Sequence, residues 1–399
     1  MCEKCDAGLP VTHSTDNSRR SFFKGAAALT AGAAAGMATG SASAQPTSQS
    51  TAARTVKAWG VTQAGTPVRP LSLDRRAVGP KDVAIDILYC GVCHSDIHTV
   101  RGEWGPIPPM SIPGHEIVGR VVAVGSQVTR FRLGDMAGVG CMVDSCGTCE
   151  NCLNGEEQYC RKGATWTYGA KADVPGGVTQ GGWSKGIVVT ENFVIRMPQS
   201  GNLAAMAPLL CAGVTTFSPL RHWKAEKGMR VGVLGVGGLG HMATKLAAAQ
   251  GADVTIFTSS QGKLADAQRL GARDAVLTSD AKAMLSHADR YDLIISTVPE
   301  SFALAPYLPL LTLNGTLVSV GTPADLQQIA GGNLWWRRRS VASSLIGSIA
   351  ETQEVIDFCA ARHIAADIEL IRPDQINAAM DRVKRKDVRY RFVIDMTQA

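Results

Sequence analysis

Four cysteines lie close together in the middle of this sequence, at a spacing typical of metal ligands. Two residues separate each of the first three, and the fourth follows eight positions later: Cys146, Cys149, Cys152 and Cys160. Four thiolates on one short loop can complete a tetrahedral shell around zinc, which leaves no coordination position for a substrate. The spacing therefore predicts a structural zinc site.

A second set of candidate ligands is spread along the chain. Cys93 lies in the segment Gly-Val-Cys-His-Ser-Asp, His115 in Pro-Gly-His-Glu and Cys211 in Leu-Leu-Cys-Ala-Gly. Two thiolates and one imidazole leave the fourth position of a zinc ion open, so that the metal can act as a Lewis acid. These residues predict a catalytic zinc, and we expect two zinc ions in the chain.

A glycine-rich segment, residues 235–240, reads Gly-Val-Gly-Gly-Leu-Gly. It follows the strand-like run 229–234 and opens a helical pattern that extends to Gln250, which is the context of a dinucleotide-binding turn. Free N–H groups at the start of such a helix hold the pyrophosphate of the nucleotide. The predicted coenzyme contacts in this turn are Gly235, Gly237, Gly238, Leu239 and Gly240.

The segment after the next predicted strand indicates which nucleotide is bound. An NAD site usually has Asp or Glu about 20 residues further on, whereas residues 257–263 read Phe-Thr-Ser-Ser-Gln-Gly-Lys. Hydroxyl groups and a lysine can donate hydrogen bonds to a 2′-phosphate, which favours NADP(H). A plain strand-to-helix turn with a serine N-cap is also compatible with this segment. The predicted contacts are Thr258, Ser259, Ser260 and Lys263.

The distribution of apolar residues predicts an α/β protein with two domains. Short runs rich in β-branched residues, such as 83–89 and 117–124, are separated by glycine, proline and charged turns, which is typical of a compact β-barrel. Strand-like and helical segments then alternate, which predicts a doubly wound parallel sheet. The alternating segments are strands at 229–234, 254–257, 291–296 and 315–321 and helices at 241–250 and 263–270.

The overall composition argues against nucleic acid as a partner. The 399 residues are 45% hydrophobic and 19% charged, and the net charge of +6 is modest for a globular protein. The segment 335–339, Trp-Trp-Arg-Arg-Arg, is the best candidate for a nucleic-acid patch, but a solvated helix face explains it better. We therefore expect no nucleic-acid partner.

The first 44 residues have the pattern of an export signal. Arg19 and Arg20 are followed by an aromatic pair, an Ala/Gly-rich stretch and the small residues Ala-Ser-Ala at 42–44. This order resembles a twin-arginine signal with its cleavage site. The stretch is too short and too weakly apolar for a stable membrane anchor. We expect export to the periplasm by the twin-arginine translocase; the alternative is a cytoplasmic protein.

Taken together, these motifs resemble those of the zinc-dependent medium-chain alcohol dehydrogenases, and more narrowly the cinnamyl-alcohol-dehydrogenase branch of broad aldehyde reductases. The resemblance covers about residues 54–397 and includes Gly-Gly-Trp-Ser at 181–184 and Tyr-Arg-Phe-Val-Ile at 390–394. It implies a GroES-like catalytic domain joined to a Rossmann domain, with the active site in the cleft between them, and it implies a homodimer. The N-terminal extension departs from the family pattern, because typical members are cytosolic.

The resemblance also implies the domain boundaries. Residues 1–44 form the signal, and residues 45–204 form the GroES-like catalytic domain, which residues 345–399 complete. Residues 205–344 form the Rossmann NADP-binding domain.

The mechanism that the resemblance implies is hydride transfer to an aldehyde. Zinc on Cys93, His115 and Cys211 would polarise the carbonyl of a small aromatic or aliphatic aldehyde, and NADPH would deliver hydride to its carbon. Glu116, next to His115, is expected to approach the metal as a transient ligand.

A proton relay is also carried over from the family on the segment Cys-His-Ser-Asp-x-His that starts at Cys93. Ser95 is expected to donate a proton to the substrate oxygen, and His98 to pass that proton outward by way of the nicotinamide ribose. Asp96 is the expected partner of a ligating histidine.

Several of these side chains also have a structural interpretation. Glu116 could form only a salt bridge, and without the resemblance His98 would be an ordinary half-buried histidine. His241, inside the helix after the glycine turn, is expected to pack rather than to catalyse. Trp104 and Trp166 fit either the substrate pocket or the core.

The favoured function is therefore a zinc-dependent, NADP(H)-linked alcohol dehydrogenase or aldehyde reductase. The alternative is a non-catalytic zinc- and nucleotide-binding scaffold, or a redox sensor, descended from such an enzyme. An inert descendant would tolerate the loss of Cys93, Ser95 or Cys211, and all three are present. Their presence favours the enzyme.

Overall fold

The computed structural model describes residues 50–321, 326–327 and 329–399. The predicted export signal, residues 1–44, lies outside the described residues. Within the described ranges, no single helix has both the length and the apolar character needed to span a membrane. Only the consecutive helical segments Leu203–Leu210 and Ala212–His222, taken as a pair bent by 55°, meet those two criteria.

The strands of the described residues form two large sheets and three two-stranded ones. In chain order they are β1 (Arg54–Gly60), β2 (Arg69–Arg75), β3 (Asp82–Val92), β4 (Ile117–Val124), β5 (Met136–Val139), β6 (Met142–Asp144), β7 (Thr165–Trp166), β8 (Gly186–Thr190), β9 (Ile195–Arg196), β10 (Arg230–Leu234), β11 (Asp253–Thr258), β12 (Asp274–Leu277), β13 (Tyr291–Ser296), β14 (Phe302–Ala303), β15 (Leu311–Ser319), β16 (Leu326–Gln327), β17 (Ser340–Ser343), β18 (Ile368–Ile371) and β19 (Arg391–Asp395).

The α-helices in the same part of the chain are α1 (His94–Arg101), α2 (Glu150–Leu153), α3 (Leu203–Met206), α4 (Ala212–His222), α5 (Gly238–Ala249), α6 (Ala281–Ser286), α7 (Gly331–Trp335), α8 (Ile349–Ala361) and α9 (Ile376–Lys384). Short 3₁₀ helices join several of these elements, among them Glu157–Tyr159, Ala207–Leu210 and Gln261–Asp266.

The six-stranded sheet is parallel throughout, in the order β12-β11-β10-β13-β15-β17. Its central strands β10, β11 and β13 are buried along almost their whole length, as expected of strands covered on both faces. From the central pair β10 and β13, the following strands are added on both sides, β11 and β12 next to β10 and β15 and β17 next to β13. Ligands of doubly wound sheets bind beyond the carboxyl ends of the strands at such a point.

The seven-stranded sheet has the order β18-β19-β3-β4-β5-β9, with β8 beside β3. Its neighbouring strands are antiparallel except for the pair β18 and β19. The long strand β3 pairs with β19, β4 and β8 along different parts of its length. Strands from the C-terminal part of the chain therefore complete a sheet whose other strands precede the parallel sheet.

The two large sheets share one apolar core. A single cluster of buried side chains contains Val118 of β4 and Val231 of β10. Leu209 and Leu210, in the 3₁₀ helix before α4, belong to the same cluster. This shared packing fixes the segment that carries Cys211 between the two sheets.

The α/β class predicted from the sequence is confirmed, and β4 and β13 have the predicted bounds, 117–124 and 291–296. The predicted helix at 263–270 is wrong, because the chain forms the 3₁₀ helix Gln261–Asp266 and then turns. The Lys263 ammonium ties the segment to the glycine turn, since it donates to the Val236 carbonyl at 2.8 Å. The predicted domain boundaries stay a prediction.

Candidate active site

Four buried side chains from distant parts of the chain lie together in one group. One ligand atom from each of Cys93, His115, Glu116 and Cys211 lies within 4.8 Å of the others. His115 Nε2 is 3.2 Å from Cys211 Sγ. Two sulfurs and an imidazole, with a carboxylate beside them, form a donor set that fits zinc with one position available. The structure thus brings together the residues predicted for the catalytic metal.

Asp96 holds two of these donors in place from within α1. The Cys93 N–H donates to Asp96 Oδ2 at 2.8 Å, and the Gly114 N–H donates to Asp96 Oδ1 at 2.9 Å. His115 Nδ1 is 3.3 Å from the same carboxylate, which is fully buried. A carboxylate on the second ring nitrogen fixes the tautomer and orientation of a metal-binding histidine. Nε2 of His115 is therefore the nitrogen that faces the sulfurs.

Glu116 and Arg391 form a buried ion pair beside the metal group. Arg391 Nη2 lies 3.2 Å from Glu116 Oε1, and the two side chains are 4% and 0% exposed. Both Glu116 oxygens nevertheless lack a hydrogen-bond partner among the described residues, because this contact has the distance of an ion pair without the angle of a hydrogen bond. Burial raises the pKa of Glu116 to about 7, although the positive charge of Arg391 acts to lower it. The structure therefore fits both predictions for Glu116, the salt bridge and the transient ligand.

The four cysteines of the predicted structural site also lie together. The sulfurs of Cys146, Cys149, Cys152 and Cys160 lie within 4.8 Å of one another. The Cys149 N–H donates to Cys146 Sγ at 3.3 Å. The backbone N–H groups of Thr148 and Cys149 lower the pKa of Cys146 to about 5, which favours the thiolate form that zinc binds. Four sulfurs supported in this way fit a closed zinc site.

Replacing Cys149 by serine should remove metal from this loop and lower the thermal midpoint by several degrees. A serine hydroxyl is a poor zinc ligand, and the other three sulfurs lose the ion that holds them together. Zinc per chain and the melting temperature are measured for the wild type and the variant, with Lys162→Ala, an exposed residue of the same loop, as the control. Unchanged zinc content together with an unchanged melting temperature would argue against a structural metal.

The glycine-rich turn joins β10 to α5. Gly235 has φ of 88°, in the left-handed region that glycine tolerates. A Cβ on Gly240 would lie 1.9 Å from the Gly235 carbonyl oxygen, whereas a Cβ on Gly237 would meet nothing within 4 Å. Gly240 therefore lets α5 pack against the turn, and Gly237 presents open backbone at the start of the helix. This geometry fits a pyrophosphate held by helix N–H groups.

The predicted ribose contacts lie at the end of β11. Thr258 is buried, and its hydroxyl accepts a hydrogen bond from the Ser260 N–H at 3.1 Å. Ser259 is exposed, and the Ser260 side chain does not cap the following 3₁₀ helix. Lys263 is buried, its ammonium bonds the Val236 carbonyl, and burial lowers its pKa. The two serine hydroxyls are thus open to a ligand, whereas the lysine is partly engaged by the glycine turn.

One cleft of about 1610 Å³ connects these features. Its volume is larger than the roughly 300–1,000 Å³ of sites for drug-sized ligands. A dinucleotide together with a small substrate requires this larger volume. Trp104 and Trp166 line the cleft and are 56% and 37% exposed, so they do not belong to the core. The cleft also contains the metal group, the glycine turn and the predicted ribose contacts: Cys93, His115, Cys211, Gly235, Gly237, Gly238, Leu239, Thr258, Ser259, Ser260 and Lys263.

Ser95 and His98 lie on the wall of this cleft, on α1. Ser95 Oγ is 3.7 Å from Cys93 Sγ. His98 Nδ1 contacts the Glu103 carboxylate, and its ring stacks on Trp104 at a centroid distance of 5.0 Å. His98 Nε2 is buried without a hydrogen-bond partner in the described part of the chain. Both predicted relay residues therefore face the cleft, although no hydrogen bond between described atoms joins them directly.

Arg391 is a residue of this site that was not among those predicted from the sequence. Its Nη1 donates to the Val92 carbonyl at 3.2 Å, and a Cβ on Gly238 would lie 2.8 Å from its guanidinium carbon. Burial lowers the pKa of Arg391, but the negative charges of Glu116 and Cys93 outweigh this effect and raise it, so the side chain stays a cation. An arginine inside the apolar strand pattern near the C-terminus was the available signal.

His241 packs, as expected from the sequence. Its ring stacks on Tyr390 at a centroid distance of 5.0 Å, and burial lowers its pKa to about 3, so that it is neutral. Nδ1 lies 3.2 Å from the Gly237 carbonyl, and Nε2 accepts a hydrogen bond from the Asp367 N–H at 3.3 Å. The histidine thereby connects α5 to the segment before β18.

Comparison with known proteins agrees with this architecture. Residues 79–199 match the family described as "Alcohol dehydrogenase GroES-like domain", and residues 238–361 match "Zinc-binding dehydrogenase". The chain is 52% identical over 342 residues to NADP-dependent alcohol dehydrogenase C 1 of Mycolicibacterium smegmatis, covering 86% of this chain and 98% of that protein. It is 51% identical over 343 residues to aldehyde reductase YahK of Escherichia coli (strain K12), covering 85% and 98%.

A solved structure shows the same fold. A cinnamyl alcohol dehydrogenase from Sorghum bicolor has a TM-score of 0.82 and 41% identity to this chain, covering 87% of this chain and 99% of that one. The fold and the site thus define a dehydrogenase with a GroES-like domain and a Rossmann domain. The chain belongs to the family of zinc-type medium-chain alcohol dehydrogenases. The predicted fold class is confirmed, and the catalytic interpretation is favoured over the scaffold.

Proposed function

We propose that this protein is a zinc-dependent, NADP(H)-linked aldehyde reductase and alcohol dehydrogenase for small aromatic or aliphatic aldehydes. One observation carries the proposal: a donor group with an available position, Cys93, His115 and Cys211, lines the same cleft as the glycine turn. Carbonyl reduction needs a Lewis acid and a hydride donor within one site, and this cleft offers a place for each.

The residues of the chain have separate roles around the metal and the coenzyme. When bound, zinc polarises a carbonyl group and NADPH supplies hydride. Cys93, His115 and Cys211 hold the metal, with Glu116 as an additional donor beside them. The closed four-cysteine site holds a second zinc that keeps its loop folded.

Ser95 and His98 supply the proton that the substrate oxygen needs. The Ser95 hydroxyl, next to the metal group, gives a proton to the substrate oxygen as negative charge develops on it. His98 Nε2, unpaired among the described side chains, replenishes that proton from the solvent side, while Glu103 holds its ring. An intervening polar group must connect the two, because they share no direct hydrogen bond within the described residues.

The preference for NADP(H) is supported by the end of β11. Ser259 and Ser260 offer hydroxyls where a carboxylate would otherwise repel a 2′-phosphate. The Mycolicibacterium smegmatis relative is named as an NADP-dependent enzyme. Gly235, Gly237, Gly238 and Leu239 would hold the pyrophosphate, and Thr258 and Lys263 would complete the ribose-phosphate site. Gly240, also predicted as a coenzyme contact, does not line the cleft and serves the packing of α5 against the turn.

The test is NADPH absorbance with purified protein and a panel of aldehydes that includes benzaldehyde, with and without a zinc chelator. Oxidation of NADPH that the chelator abolishes and added zinc restores would support the proposal. If no aldehyde in the panel gives chelator-sensitive oxidation, the scaffold becomes the better account. The same panel identifies the preferred substrate.

The homodimer and the export route are proposals as well. Family membership supports a homodimer, and the arginine pair with its apolar stretch in residues 1–44 supports export to the periplasm. Light scattering on the purified protein measures the assembly. Cell fractionation of the wild type and of a variant with Arg19 and Arg20 changed to lysine measures location. A wild type found only in the cytoplasm would contradict export.

A further inference from the structure

The four-cysteine loop contacts the segment between β17 and α8 at two points. The Tyr159 hydroxyl accepts a hydrogen bond from the Leu345 N–H at 3.1 Å. Glu157 Oε2 accepts one from the Ile349 N–H at 3.3 Å. Glu157 and Tyr159 belong to one 3₁₀ helix, so a single element of the loop holds both ends of residues 345–349.

The segment held in this way is part of the active-site cleft. Leu345 and Ile346 line the cleft that contains Cys211. Leu345 is 41% exposed, so its side chain is open to a ligand. Ile346 has φ of 40°, a conformation that β-branched residues rarely adopt. Such a conformation persists only where the surroundings hold it in place.

The contacts of the loop complement those that the segment makes elsewhere. The Ser344 N–H donates to the Ser319 carbonyl at 3.1 Å, upstream of Leu345. Ser348 caps α8, since its hydroxyl accepts a hydrogen bond from the Glu351 N–H at 3.1 Å. Between these anchors, the Leu345 N–H bonds Tyr159. The Glu157 carboxylate lies at the start of α8, where the helix dipole favours negative charge.

The position of Tyr159 depends in turn on the fold of the four-cysteine loop. Its carbonyl oxygen accepts a hydrogen bond from Asn151 Nδ2 at 2.6 Å. The next residue, Cys160, belongs to the sulfur group that fits a structural metal. The place of the Tyr159 hydroxyl therefore follows from the geometry of that group.

We infer that Tyr159 and Glu157 are positioning residues for the substrate, because they hold Leu345 and Ile346 in the wall of the cleft. The inference rests on the proposed aldehyde reductase function and extends it. Aldehydes large enough to touch this wall depend on its position, whereas short aldehydes bind at the metal group without reaching it. The four-cysteine loop thereby affects substrate selection as well as stability.

Tyr159→Phe in the full-length, zinc-loaded protein tests the inference, because it removes the acceptor and keeps the ring. We expect KM for 4-tert-butylbenzaldehyde to rise about two- to tenfold, the value of a typical hydrogen bond. KM for propanal, KM for NADPH and both kcat values should stay close to those of the wild type. The matched control is Tyr307→Phe, because Tyr307 is a half-buried tyrosine outside the cleft wall. It should change KM for neither aldehyde.

Hydrogen exchange of the Leu345 and Ile349 amides provides a readout that does not need turnover. Tyr159→Phe should accelerate exchange at Leu345 with zinc content unchanged, and Glu157→Ala, which removes the acceptor, should accelerate it at Ile349. Unchanged exchange in both variants would overturn the contact. Faster exchange with the same ratio of KM values for the two aldehydes would overturn the role in substrate selection. A wild type without any NADPH-dependent turnover would refute the proposed function, while the exchange data would still decide the contact.

Discussion

Replacing Cys211 by alanine should lower kcat for NADPH-dependent aldehyde reduction by about 10³-fold or more. The variant retains only one thiolate and one imidazole of the donor group, and the loss of electrostatic stabilisation at a reacting oxygen has effects of about this size. Zinc per chain should fall by one. The fold should persist, because Cys211 is a small side chain at the start of α4 and the surrounding core, including Leu209 and Leu210, stays unchanged.

The control for this variant is Cys359→Ala. Cys359 is a fully buried thiol in α8 that belongs to neither sulfur group, so it reports the effect of losing a buried sulfur alone. Activity, zinc content and the melting temperature are measured for both variants, together with the dissociation constant for NADPH. If Cys211→Ala retains a normal kcat and both zinc ions, its assignment as a ligand is wrong.

The sequence predicted the elements that depend on local patterns. The enrichment in β-branched residues predicted the bounds of β4, and the strand-like segment 291–296 predicted those of β13. Spacing within short segments also grouped the four cysteines, which the structure brings within 4.8 Å of one another. These features were accessible because the interacting residues are neighbours in the chain or repeat with a fixed period.

The contacts that complete the site depend on topology instead. Arg391 reaches Glu116 because β19 pairs with β3 and places a C-terminal residue beside the metal group. No local pattern connects those two residues. The same holds for Tyr159 and Leu345, which meet only because the four-cysteine loop folds toward the cleft. A helical pattern at 263–270 failed for a related reason, since the Lys263 side chain is held by the glycine turn.

The C-terminal strand β19 therefore joins the two halves of the site. Tyr390, just before it, stacks on His241 of α5 and contacts the Asp266 carboxylate, while Arg391 pairs with Glu116. Successive residues thus contact the nucleotide-binding helix, the segment after β11 and the metal group. The position of the glycine turn relative to the metal donors follows from these contacts, which explains why one cleft contains both.

Replacing Ser259 by aspartate should raise KM for NADPH by about 10- to 100-fold and reduce the preference for NADPH over NADH. The carboxylate would lie next to the 2′-phosphate, where like charges repel. A change of this size corresponds to about 1.4–2.8 kcal/mol, below the roughly 4 kcal/mol between unit charges 4 Å apart at an effective dielectric constant of 20. Ser259 is exposed, so the substitution should leave the melting temperature nearly unchanged.

Ser259→Asn is the matched control, because the amide has the shape of aspartate without its charge and can still donate a hydrogen bond. It should keep the preference for NADPH. Initial rates with each coenzyme at a fixed aldehyde concentration give the KM values, and coenzyme fluorescence gives dissociation constants independently of turnover. Equal coenzyme preference in the aspartate variant and the wild type would mean that the 2′-phosphate is bound away from the end of β11. Lys263 could not then explain the preference either, because its ammonium lies in the same part of the cleft and bonds the Val236 carbonyl.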